Sequence, residues 1–280
     1  MAASPERVSV HGGHSGQFCC HAEDSLEAII RAYIAHGYTW VGITEHMPPE
    51  RDEQSYPDEL AAGLNAADQQ ARFIDYMSAC RSLRDKYASE IRILVAFETE
   101  AYSGYEHWVP EARNKFEPDY IVGSVHHVND ELFDGSPEWY RTAAEAAGGV
   151  NELYCAYFDR QYEVIATLSP EVIGHFDLVR IFDPEYRTRL VKPYVWDRVV
   201  RNLEAIRDLG SIMDFNLAAL KKGQSEPYIS GPVLEQALKM GIAVVPGDDS
   251  HGVGNIDQFW NEGVRILEKA GCDLNWKCPV

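Results

Sequence analysis

What this sequence lacks narrows its reading first. Its six cysteines form no C-x-x-C pair, no stretch approaches the roughly 18 apolar residues of a membrane span, and no secretory leader pattern is present. These absences predict a reduced, cytoplasmic protein without a membrane segment. Basic residues are scarce, with 25 Lys and Arg against 44 Asp and Glu, for a formal charge of −19. Such a surface repels phosphate backbones, so no nucleic-acid partner is expected, and a small anionic substrate would need local cations such as bound metal ions. Also missing are a Walker loop, a dinucleotide-binding glycine fingerprint and a serine in a nucleophile elbow. No internal repeat or low-complexity linker divides the 280 residues, and a hydrophobic fraction of 45% suffices for one core. A single domain over residues 1–280 is the expectation.

What is present is a recurrence. Seven short apolar runs each end in residues of the kind that bind metal: VSVH (His11), WVGITEH (Glu45, His46), ILVAFE (Glu98), YIVGSVHH (His126, His127), EVIGHFD (His175, Asp177), SIMDFN (Asp214, Asn216) and AVVPGDDSH (Asp248, Asp249, His251). Several segments between them carry helical periodicity, as in DSLEAIIRAYIAHG, with Asp24 or Ser25 as N-cap and Gly37 as stop. Strands alternating with helices predict a parallel sheet, and seven such units without a break predict an α/β barrel. In a barrel of this kind, functional residues collect at the carboxyl ends of the strands. All seven endings would then face one mouth. The charged segments Pro48–Glu59 and Asn129–Gly149 read as loops bordering it.

Imidazole combined with carboxylate suits Zn, Mn or Fe as divalent ions. The candidate ligands are His11, His14, His21, His46, Glu98, His126, His175, Asp249 and His251. One ion takes about four to six ligands, so nine candidates argue for two or three ions. Clustered ions activate a water and clamp an in-line displacement at phosphorus, which makes phosphoester hydrolysis the expected chemistry, with a metal-bound hydroxide as nucleophile. A metal, or a proton from a neighbouring His or Asp, would stabilise the leaving alkoxide. Glu45 and Asp248 are expected to orient ligands from outside the first layer. Cys19 is read as a buried packing residue. Adjacent strand residues face opposite ways, so His126 is expected inward and His127 outward. Arg180, Lys221 and Lys222 are the cations expected to meet a small phosphorylated substrate. The sequence is silent on oligomeric state.

The segments HGGHSGQFCCHA, GITEHMP, AFETEAY, VGSVHH, VIGHFDLVR and VPGDDSH, in that order, resemble the polymerase-and-histidinol-phosphatase (PHP) superfamily, in its histidinol-phosphate phosphatase branch. The resemblance implies a distorted (β/α)7 TIM-like barrel with a trinuclear metal centre that hydrolyses L-histidinol phosphate to L-histidinol and phosphate in histidine biosynthesis. It implies His14, His21, His46, Glu98, His126, His175, Asp249 and His251 as ligands. The chain departs from the pattern twice. The usual H-x-H is here His11-Gly12-Gly13-His14, and a glycine bulge is expected to let His11 still reach the metal. In SIMDFNLAALKKG, Asp214 replaces a glutamate, which is expected to alter the substrate pocket. Two other readings remain: a phosphoesterase for another small phosphomonoester, a nucleotide or a nucleic-acid end, and a barrel that binds metal or phosphate without catalysis.

Overall fold

The computed structural model describes residues 5–280. Each apolar run becomes a short strand: β1 Arg7–Ser9, β2 Tyr38–Ile43, β3 Arg92–Glu98 and β4 Tyr120–Gly123, then β5 His127–Val128 and β6 Glu131–Leu132, then β7 Val172–Ile173, β8 Ile212–Asn216 and β9 Ala243–Gly247. Strands β5 and β6 pair as a small antiparallel hairpin. The other seven form one parallel sheet in the order β1-β2-β3-β4-β7-β8-β9. Its two edges meet where the Val10 amide donates to the Pro246 carbonyl at 3.0 Å and the Asp249 amide to the His11 carbonyl at 2.9 Å. The sheet thereby curls into a nearly closed barrel, the distorted (β/α)7 TIM-like architecture. Its strands are buried on both faces, which is why they read as apolar runs rather than as alternating patterns.

The helices follow local signals. Ser25 caps Leu26–Ala35 by accepting from the Ala28 amide at 3.3 Å, and Gly37 beyond its end adopts φ 75°. Helices Ala66–Lys86, Val150–Leu168, Pro193–Leu209, Gly231–Lys239 and Trp260–Ala270 occupy the periodic segments. The segments expected as loops carry structure of their own. Residues Pro57–Ala61 form one short helix, and Pro137–Ala147 forms another behind a Ser136 cap with proline in the first turn. Helix Tyr105–Phe116 carries Pro110 inside it and still buries Tyr105, Val109 and Ala112 along one face. Among the described residues, no helix is long and apolar enough to cross a membrane.

The barrel interior is packed tightly enough to dictate residue size. The Tyr120 hydroxyl crosses from β4 to donate to the Val10 carbonyl at 2.6 Å. A Cβ at Gly42 on β2 would lie 1.6 Å from that hydroxyl oxygen. Gly42→Ala is therefore expected to lower unfolding stability by about 1–3 kcal/mol, read as a lower urea midpoint. An unchanged midpoint would show that the interior is looser than this.

Candidate metal centre

Glu98 ends β3 inside the barrel mouth and is 1% exposed. Imidazoles from four other strand ends converge on it. Its Oε2 lies 3.4 Å from His11 Nε2 and 3.2 Å from His46 Nδ1, and its Oε1 lies 3.3 Å from His126 Nε2 and 2.9 Å from His175 Nε2. Beside this group, His14 Nε2 lies 3.3 Å from Asp249 Oδ1, and the His14 and His251 rings stack with centroids 4.4 Å apart. Asp249 adopts φ 45°, a conformation rare for a residue other than glycine. His21 lies further out, over a third exposed, with Nδ1 3.1 Å from Asp58 Oδ2. All nine expected ligands thus sit on one rim.

The displaced His11 reaches Glu98 because the backbone behind it runs unusually close to its neighbours. A Cβ at Gly12 would lie 2.2 Å from the Gly42 carbonyl oxygen, and one at Gly13 would lie 2.4 Å from Ile29 Cγ2. No side chain of any kind fits at position 12. His11 is wholly buried, with Nδ1 2.9 Å from Asp214 Oδ2. Asp214 therefore lies beneath the imidazole cluster and orients His11, which places its acid-length difference in the support of the cluster rather than in the cavity wall.

A second carboxylate, Glu100, was not among the sequence candidates. It is 2% exposed and lies 3.3 Å from His46 Nδ1, 3.0 Å from His126 Nδ1 and 3.4 Å from His127 Nδ1. It lies two residues beyond Glu98, past the end of β3, where the rule of apolar runs and their terminal residues does not reach. His127 was expected to point away from this cluster. Strand β4 has already ended at Gly123, so strand alternation does not govern the pair, and both rings reach Glu100.

Two further expectations are corrected. Asp248 orients no ligand imidazole: its oxygens accept from Ser9 at 2.6 Å, Tyr33 at 2.8 Å and Ser250 at 2.9 Å, tying β1 and the first helix to the last strand. Arg180 does not line the cavity. It is fully buried, donates to Gln224 Oε1 and to the Glu226 and Pro227 carbonyls, and stacks against the Tyr186 and Tyr228 rings. Cys19, read as packing, is buried, and its sulfur also comes within 4.8 Å of donor nitrogens of His21, His46 and His251. Glu45 accepts from the Ser15 amide and hydroxyl, leaving its other oxygen 3.8 Å from His14 Nδ1.

The electrostatics show what the cluster needs. Burial alone would lower the histidine pKa values, yet Glu98 and its fellow carboxylates raise His11 and His126 well above the ordinary range and His46 to about 9. Burial, with the neighbouring His46, brings His14 down to about 4. Burial raises Glu45 to about 7, against the hydrogen bonds from Ser15. So many buried acids require positive charge, and divalent cations supply it more compactly than protons. His11 Nε2 and both His14 nitrogens have no hydrogen-bond partner despite full burial. Three- and four-donor groups with all donor atoms within 4.8 Å overlap here: His11–His14–Asp249, His11–Glu98–His175, His14–His46–Glu98, His46–Glu100–His126 and Cys19–His21–His46–His251. The residues fit divalent metal.

A cavity of about 440 Å³ opens above them, lined among others by His21, His46, Glu98, Asp134, Trp139, Lys221, Lys222 and Tyr228. Because Asp214 holds His11, Asp214→Asn is expected to weaken metal binding roughly 10–100-fold by chelator competition, with the circular dichroism spectrum unchanged. Unaltered affinity would remove Asp214 from the support of the centre.

Comparison with known proteins agrees with this geometry. The PHP domain family model matches residues 12–218. A Schizosaccharomyces pombe protein named "Probable histidinol-phosphatase" is 35% identical, with the match covering 94% of this chain and 87% of that protein. A Listeria monocytogenes structure, provisionally called a histidinol phosphatase, superposes with TM-score 0.81 at 23% identity, covering 91% of this chain and 99% of that one. The Lactococcus lactis histidinol phosphate phosphatase, solved with zinc, L-histidinol and phosphate, gives TM-score 0.71 at 18% identity over 96% and 95%. With the barrel, the donor-lined rim and these matches together, the chain belongs to the PHP domain family.

Proposed function

We propose that this protein is a metal-dependent phosphomonoesterase, a histidinol-phosphatase that converts L-histidinol phosphate and water to L-histidinol and phosphate. The observation that carries this reading is the overlap of the donor groups. His11, His46 and Glu98 each belong to more than one of them, so the rim has more donors than one ion can use. His11, His14, His21, His46, Glu98, His126, His175, Asp249 and His251 would hold two or three divalent ions, zinc, manganese or iron. When bound, such ions lower the pKa of water and offset charge on a phosphoryl group. The names of the curated relatives, and the L-histidinol and phosphate bound in the Lactococcus lactis structure, support the substrate assignment.

The chain's own residues prepare the cavity for that substrate. Lys221 and Lys222 stand exposed on its wall and supply local positive charge within a chain of net −19. The Lys221 ammonium contacts Asn255, while the Lys222 ammonium has no hydrogen-bond or ion-pair partner among the described residues and is free to meet a phosphate oxygen. Beneath them, Asp214 orients the His11 ring and Glu100 the His126 ring.

Protein stripped of metal and refilled with Zn²⁺, Mn²⁺ or Fe²⁺ is expected to hydrolyse histidinol phosphate in preference to other small phosphomonoesters, 5′-nucleotides and DNA ends by orders of magnitude. Phosphate release from DNA ends, or silence toward every substrate, would contradict the proposal. Lys222→Ala is expected to raise KM about tenfold, the size of one lost charge-assisted hydrogen bond, at unchanged metal content. An unchanged KM would take Lys222 out of the phosphate site.

A further inference from the structure

The cavity has a carboxylate that the metal centre does not use. Glu98 and Asp249 face imidazoles, and Asp58 is paired with His21 at 3.1 Å. Asp134, on the same wall, has no hydrogen-bond or ion-pair partner among the described residues, although it is half-buried. A carboxylate without a partner on the wall of a cavity is open to a cation that enters it.

Its position is held from both sides. The preceding Phe133 is fully buried, and its amide donates to the His126 carbonyl at 3.2 Å, fixing this segment to a strand end of the metal rim. On the other side, the Ser136 hydroxyl accepts from the Trp139 amide at 3.1 Å. The Trp139 ring lies so close over Gly135 that a Cβ there would be 2.1 Å from ring atom Cζ3. From this anchored segment Asp134 and Trp139 both line the cavity. The segment follows β4, whereas Lys221 and Lys222 follow β8, with β7 between these strands in the sheet. The rim therefore presents cations at one place and an unpaired acid beside an aromatic wall at another.

A phosphomonoester that also carries an ammonium group has the complementary charges. We propose that Asp134 receives the ammonium group of the substrate's amino-alcohol portion, with Trp139 as the wall for its ring, and that this contact sets the preference for cationic phosphomonoesters. The inference rests on the phosphomonoesterase reading of the site above. Asp134 touches no metal donor, so its loss acts on substrate selection rather than on assembly of the centre.

The test compares histidinol phosphate with its des-amino analogue, imidazolylpropyl phosphate, in the metal-loaded wild type and in Asp134→Asn, with Asp134→Ser as a second variant. The variants are expected to lose about tenfold or more in kcat/KM on histidinol phosphate, mainly through KM, and to match wild type on the analogue at unchanged metal content. Equal losses on both substrates, or no loss on either, would overturn the assignment of Asp134. A wild type that hydrolyses neither compound would instead refute the histidinol-phosphatase proposal, so the two failures are distinguishable.

Discussion

The structure depends on one buried carboxylate. Glu98 lies at the end of a central strand, nearly inaccessible to water, with four imidazoles within 3.4 Å and His14 Nε2 at 3.9 Å. An anion so placed is tolerable only if positive charge is delivered to it, and the surrounding histidines alone must accept protons to do so. The parallel barrel is the means of delivery, because it brings the carboxyl ends of strands scattered from residue 7 to residue 247 to one rim. Barrel closure between β1 and β9 matters for the same reason: the backbone bonds of Val10 and Asp249 that seal it lie at the donor side chains of His11 and Asp249.

A layer of buried acids supports this centre from behind. Asp214 grips His11, Glu100 faces the His46, His126 and His127 rings, and Glu45 lies behind His14. The short side chain of Asp214 suits the depth at which His11 lies, since the space on the far side is taken: a Cβ at Gly247 would fall 2.1 Å from Asp214 Oδ1 and 2.9 Å from His11 Cβ. The spaced His11-Gly12-Gly13-His14 motif and the aspartate at position 214 are therefore two parts of one local solution. A histidine at position 12 would collide with β2, and the imidazole that meets Glu98 comes from one residue earlier.

The barrel was readable in the sequence because strands buried on both faces leave apolar runs and because their functional ends stand just beyond them. His46, Glu98, His175 and Asp249 follow directly from that rule. Other features were hidden for physical reasons. Glu100 sits past the end of its run, where a reading that stops at the last apolar residue does not look. Arg180 has the sequence position of a phosphate ligand, but its guanidinium is taken by the carbonyls of Glu226 and Pro227, acceptors forty-odd residues distant that no local pattern announces. Asp248 and Asp249 are neighbours with opposite duties, and only the turn at Asp249, with its left-handed φ, decides which of them faces the rim. The walls of the cavity contributed by Asp134 and Trp139 come from a segment whose proline-started helix reads at first as a loop.

The most direct test of the account is anomalous scattering at the zinc, manganese and iron edges from crystals grown with each ion. The account predicts at least two peaks on the rim, with His11 Nε2 and a Glu98 oxygen each at a bonding distance of about 2.0–2.2 Å from one of them. A rim without peaks in the presence of all three ions, or a filled rim that leaves Glu98 uncoordinated, would contradict it.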